Sequence, residues 1–239
     1  MSEIERRAIK GVFWTIVQSF GGRALSLAVF VILARLLTPA DFGLVAMAAV
    51  FIALLEVLVQ QGFADAITQR EHLEPEHEST AFWTNIALSG IVGAALWASA
   101  GWVATLYDAP ELAPVVRWLS AVLPIRALVA VPVGLLQRRL EFRILAIRSI
   151  LGALVGGVAG VAAALSGWGV YALVVQQLLG GLGEVLTVWG AAAWWPKLSF
   201  SVRHLREIWG FSVHLVGASI LDFLNRRSDD FLIGLYLGE

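Results

Sequence analysis

The stretch that decides the fold is Gly11–Leu37, GVFWTIVQSFGGRALSLAVFVILARLL, running directly into Thr38-Pro39-Ala40-Asp41-Phe42-Gly43. It is predominantly apolar, and about 20 such residues suffice for a helix to cross a bilayer. Arg6, Arg7 and Lys10 stand just before it, and Arg23 sits near its middle after Gly21-Gly22. An arginine at mid-membrane costs about 2.5–3.5 kcal/mol on insertion scales, so Arg23 is expected to face a polar interior. A basic head followed by an apolar run is also the plan of a secretory signal, with Ser26-Leu27-Ala28 as the small-residue site. The continuation to Leu37 and the presence of Arg23 favour an uncleaved first transmembrane helix.

Composition extends this reading to the whole chain. Of 239 residues, 59% are hydrophobic and only 15% charged; a soluble domain carries about 25% charged residues. The fold expected is all-α, a polytopic membrane protein. Net charge is −1, which offers no field for nucleic acid. With no cysteine, disulfides, thiol catalysis and cysteine metal sites are excluded.

Apolar runs and turn residues divide the chain further. A second helix is expected over about Phe42–Ala64 with Asp41 as its N-cap. A third runs over about Thr80–Leu106, and a fourth over about Val115–Gln137, interrupted by Pro124 and Pro132. A fifth covers about Ile144–Leu165 and a sixth about Val170–Trp195, with Ser166-Gly167-Trp168-Gly169 a tight turn between them. In the fifth, Gly152, Gly156 and Gly160 recur every four residues, a spacing that lets helix backbones approach closely. A seventh is expected over about Glu207–Asn225.

The opening pattern returns there. Ile208-Trp209-Gly210 echoes Ile9-Lys10-Gly11, and Leu232–Gly238 echoes Leu33–Thr38. The expected organisation is therefore a six-helix lobe over residues 1–199 and the opening helix of a second lobe over 200–239. Aligning Gly11 with Gly210 sets Arg23 against Asp222, two opposite charges at matching depth.

Lys and Arg lie at the N-terminus, at Arg138–Arg148 and at Lys197–Arg206, whereas the turns at Thr38–Asp41, Tyr107–Pro114 and Ser166–Gly169 have none. That alternation places the N-terminus in the cytoplasm. Trp14, Trp102, Tyr107, Trp168, Tyr171, Trp194, Trp195 and Trp209 lie near run ends, where interfacial anchors are expected.

Several stretches together resemble a known family. Leu33-Ala34-Arg35-Leu36-Leu37-Thr38-Pro39-Ala40-Asp41-Phe42-Gly43-Leu44, Ser79–Asn85, Pro110–Pro114, Leu135–Arg143 and Gly169–Gln177 are similar to bacterial polysaccharide exporters. These are the O-antigen, colanic-acid and teichuronic-acid type flippases, within a superfamily that also holds lipid II flippases and multidrug extruders. The resemblance implies translocation of a polyprenyl-diphosphate-linked oligosaccharide across the bacterial inner membrane, with no cofactor. Its expected partners are the lipid bilayer, the polysaccharide polymerase and glycosyltransferases. Such exporters have two lobes related by a pseudo-two-fold axis and about twice this length, so the chain is expected to be a truncated or partial form.

Arg23 is the leading substrate-binding candidate, because a guanidinium matches phosphate geometrically. Arg126, between Pro124 and Pro132, is the second. Gln176 and Gln177 offer amides that suit sugar hydroxyls or that join helices. Glu56 shares a helix face with Gln60, near Gln61, and is expected either to carry a coupling ion or to pair with Arg23. Asp222 is the second ion-coupling candidate and the expected partner of Arg23 in a closed state. His72 and His77, among Glu71, Glu74, Glu76 and Glu78, match no zinc spacing and are read as a solvated loop. Arg138–Arg148 is read as a topological and lipid-headgroup cluster.

Two other functions compete. A multidrug-type antiporter shares the fold, but a cavity for cationic drugs calls for acidic or aromatic walls rather than buried arginines. A membrane-embedded transferase needs a catalytic constellation, and no loop carries an aspartate-rich or nucleotide-phosphate motif.

Overall fold

A computed structural model describes residues 3–60, 67, 74–192 and 194–206, and all regular structure among them is helical. The helices are α1 (Glu3–Leu36), α2 (Pro39–Gln60), α3 (Pro75–Leu106), α4 (Leu112–Leu119), α5 (Val122–Arg138), α6 (Phe142–Leu165) and α7 (Tyr171–Ala191). Among the described residues, six segments are long and apolar enough to cross a bilayer, with α4 and α5 sharing the crossing Leu112–Arg138. The outer surface is apolar, with Phe20, Ile91, Val158 and Leu186 exposed. A bilayer accepts such a surface, because only polar groups must be satisfied internally there.

Local chemistry sets the ends. The N-cap of α2 is Thr38, not Asp41. Asp41 Oδ2 accepts from the Thr38 N–H at 2.9 Å and from its hydroxyl at 2.7 Å, while Thr38 Oγ1 accepts from the Asp41 N–H at 3.3 Å. This is a reciprocal capping box with Pro39 at the first helical position, where its missing N–H has no helical partner to lose. Likewise α3 begins at Pro75 rather than Thr80, so the second half of the stretch read as a solvated loop is helical.

The fourth expected helix is two helices. The break falls at Ser120-Ala121. Pro124 explains it: a proline ring clashes with the carbonyl four residues back, here Ser120. Pro132, by contrast, lies inside the continuous α5. The carbonyl it leaves without a helical donor is that of Leu128. The Trp189 indole on α7 donates to that oxygen at 3.0 Å. A neighbouring helix thus satisfies the freed group, as the bilayer requires.

α6 packs most closely on α7 and then on α1. A Cβ at Gly156 would overlap Gly180 Cα at 2.9 Å, and one at Gly152 would meet the Gly180 carbonyl at 3.1 Å. The α6–α7 turn places Gly167 and Gly169 at φ of 78° and 53°, where side chains are disfavoured. At the end of the bundle that carries the N-terminus, Phe82, Leu136, Leu145 and Trp194 form a buried core. Trp194 is therefore no interfacial anchor: it is buried, and its indole donates to Glu78 Oε2. Trp102, Trp168 and Trp195 are exposed. Two residues of the basic cluster also tie elements together. Arg138 donates to the Ile67 carbonyl at 3.4 Å and Arg139 to that of Ala192, just past α7, at 3.2 Å. The expected seventh helix, Gln61, His72 and Asp222 lie outside the described residues.

Candidate functional site

A cavity of about 880 Å³ lies among α1, α5, α6 and α7. α1 contributes Gln18, Gly22, Arg23 and Ser26, α5 contributes Ile125 and Arg126, and α7 contributes Gln176, Gln177 and Glu184. Glycines of α6 and α7, among them Gly152, Gly156, Gly157 and Gly180, form much of the remaining wall. Their lack of side chains has two effects: it brings the helix backbones together and it keeps this volume empty.

Of the residues singled out from sequence, Arg23, Arg126, Gln176 and Gln177 all line this one space. Glu56 stands behind Arg126 on α2, and its partner is not Arg23. Arg126 Nε lies 2.9 Å from Glu56 Oε1. Oε1 nevertheless accepts no hydrogen bond, so the contact is an ion pair whose N–H misses the oxygen in direction. The pairing follows from which faces α2 and α5 turn to one another, and that information is absent from the spacing within either helix. No carboxylate among the described residues pairs with Arg23.

Two further charged residues belong to this site: Glu184, two turns from Gln177, and Arg148. Glu184 lines the cavity and pairs with Arg148 Nη1 at 3.6 Å. Arg148 was grouped with the headgroup-anchoring cluster, but it lies inside α6, and its Nε is buried without a hydrogen bond. The available signal was its position: one turn past Ile144 in a helix whose next small residues face inward. Arg143, at the start of α6, lies over the Trp14 ring at 5.7 Å.

Three guanidinium groups and two carboxylates thus line the cavity or pair with a residue that does. The excess charge is positive, and several of these groups lack a full set of hydrogen bonds within the protein. The amides of Gln176 and Gln177 add neutral donors and acceptors beside them.

Fold and site together define a multi-pass helical membrane protein with a polar, net-cationic cavity inside its bundle. The chain belongs to the family described as polysaccharide biosynthesis protein, which matches residues 32–239. It is 30% identical over 229 residues to the succinoglycan biosynthesis transport protein ExoT of Rhizobium meliloti (strain 1021), covering 96% of this chain and 46% of that one. It is 26% identical to the lipopolysaccharide biosynthesis protein WzxC of Escherichia coli (strain K12), covering 98% and 48% respectively. It is 25% identical to the teichuronic acid biosynthesis protein TuaB of Bacillus subtilis (strain 168), covering 100% and 50%. The chain spans about half the length of these curated relatives. No solved structure matches it.

Proposed function

We propose that this chain is the N-terminal lobe of a transporter that flips a lipid-linked oligosaccharide across the bacterial cytoplasmic membrane for polysaccharide export. The cargo is a polyprenyl-diphosphate-linked oligosaccharide, and the N-terminus is cytoplasmic. The polysaccharide polymerase and the glycosyltransferases are its functional neighbours. It transports and does not catalyse.

The observation that carries this reading is that Arg23, Arg126, Gln176 and Gln177 all line one cavity. A diphosphate needs charge-assisted donors, and guanidinium groups supply them in planar pairs. Sugar hydroxyls need amides. Arg126 commits only its Nε to Glu56, so an incoming phosphate can compete for the rest of the guanidinium. The surplus of arginine over carboxylate also argues against a cationic drug as cargo.

The test is export of surface polysaccharide in a strain lacking its own exporter, complemented with the full-length protein. Hydrogen bonds to charged groups contribute about 1.5–3 kcal/mol. Arg23→Ala and Arg126→Ala are therefore each expected to lower export by about tenfold or more at unchanged membrane abundance. Arg23→Lys retains part of it, because an ammonium lacks the bidentate fork. Full export by both alanine variants would overturn the reading.

A further inference from the structure

Away from the cavity, the chain after α7 folds back onto the first turns of α3. The Lys197 N–H donates to Ser79 Oγ at 3.1 Å, the Ser201 N–H to Thr80 Oγ1 at 3.2 Å, and the Trp83 indole to the Lys197 carbonyl at 2.9 Å. These contacts explain why Ser79 and Thr80 are buried polar residues, while His77 is buried against the His204 ring. They also hold the helical turn at 202–206 in place and deliver His204 to the start of α3. There, the ligand atoms of Glu74, His77 and His204 all lie within 4.8 Å of one another.

The spacing within this group is informative. His204 Nε2 and Glu74 Oε2 are 3.4 Å apart. When the imidazole carries its proton on Nδ1, both atoms are electron-rich, and a cation between them would turn their repulsion into ligation. A shared proton draws nitrogen and oxygen to about 2.7–3.2 Å. Two ligands at about 2.0–2.1 Å from one zinc ion at the tetrahedral angle lie about 3.4 Å apart. The distance fits a metal better than a proton. His204 Nδ1 is buried without a hydrogen-bond partner, which leaves Nε2 as the nitrogen engaged with the carboxylate. Two imidazoles and a carboxylate are a zinc-type donor set, with a fourth position left for water.

His77 already accepts the Glu74 N–H on Nδ1 at 3.3 Å, beyond the usual range for such a bond. Ligation through either ring nitrogen surrenders that bond, because Nε2 binds metal only with the proton on Nδ1. The His77 and His204 ring centroids are 4.1 Å apart, and two imidazoles on a tetrahedral ion stand about 5 Å apart. Loading therefore moves His204 outward by about an ångström. Glu74 is exposed, so an ion reaches the site from solvent.

We propose that Glu74, His77 and His204 bind a zinc-class divalent cation that staples the segment following α7 to the first turn of α3. The site stands independently of the transport reading. It holds the helical turn at 202–206 against the start of α3.

The purified full chain, stripped with a chelator, is titrated with Co²⁺ and then with Zn²⁺. The expected result is one equivalent of Co²⁺ with visible tetrahedral absorption bands, lost on addition of Zn²⁺. Zn²⁺ should also raise the melting temperature. Glu74→Gln and His204→Gln, both outside the helical core, should each weaken binding about tenfold or more, whereas His72→Gln should leave it unchanged. Neither variant touches the cavity, so the outcome is separable from export. Absence of a stoichiometric end point, or affinity in both glutamine variants unchanged from the unsubstituted protein, would overturn the site and leave a plain Glu74–His204 ion pair.

Discussion

Arg126 on α5 and Glu56 on α2 form an ion pair at 2.9 Å in which the carboxylate oxygen accepts no aligned hydrogen bond. Arg126 is 51% exposed and Glu56 21%, so the pair is partly screened by the cavity. A pair of that kind contributes about 0.2–1 kcal/mol. Glu56→Gln is therefore expected to lower the stability of the detergent-solubilised protein by about 1 kcal/mol or less, read by thermal unfolding. A loss of about 3–5 kcal/mol is the signature of breaking a fully buried pair. That result would mean that the cavity wall excludes water at Arg126.

The orientation is open to direct chemistry, because the chain contains no cysteine. Glu111 at the start of α4 and Gln137 at the end of α5 are both exposed and lie at opposite ends of one crossing. Asp108 is a poorer site for a probe, since its φ of 49° is strained for most side chains. With the N-terminus cytoplasmic, an impermeant maleimide added to intact cells should label Glu111→Cys and spare Gln137→Cys. The reverse pattern would invert the topology.

The transmembrane runs were legible in the sequence because each is a local property: about 20 apolar residues between turns. The Gly152, Gly156 and Gly160 face was legible for the same reason, since its spacing lies within one helix. What was hidden depends on two helices at once. Glu56 offered one possible pair for Arg23, but α2 turns Glu56 to Arg126 on α5. Arg148 looked like part of a basic surface cluster, and only the proximity of Glu184 reveals its inward face. His77 was judged against its sequence neighbours, whereas its nearest imidazole belongs to His204. Pro124 and Pro132 looked alike as helix breakers. They differ because the carbonyl opposite Pro132 finds a donor on α7.

The α6–α7 contact predicts a contrast between glycines. A Cβ at Gly156 would overlap Gly180, whereas one at Gly90 on α3 would meet nothing within 4 Å. Forcing atoms into a packed interface costs about 1–3 kcal/mol. Gly156→Ala should therefore destabilise the protein by that amount. Gly90→Ala should be neutral or stabilise by a few tenths of a kcal/mol, since alanine is the better helix former. Thermal unfolding of both variants in one detergent checks this. Equal melting temperatures would mean that the α6–α7 backbones are not in contact.

The last prediction concerns Pro132 and Trp189. Without an N–H at residue 132, the Leu128 carbonyl depends on the Trp189 indole, which donates to it at 3.0 Å. Trp189→Phe removes that donor but keeps an aromatic ring against Phe82, whose ring centroid lies 5.7 Å from that of Trp189. A buried carbonyl left without a partner costs about 1–3 kcal/mol, and the phenylalanine variant should lose that much, plus a packing loss for the smaller ring. Pro132→Ala supplies the missing N–H and lets α5 close its own ladder. In the double variant the carbonyl has a donor again, so Trp189→Phe should cost only its packing loss. The cycle therefore predicts a coupling of about 1–2 kcal/mol between positions 132 and 189. If the indole served packing alone, the two substitutions would be additive, and the Leu128 carbonyl would have to find its donor elsewhere.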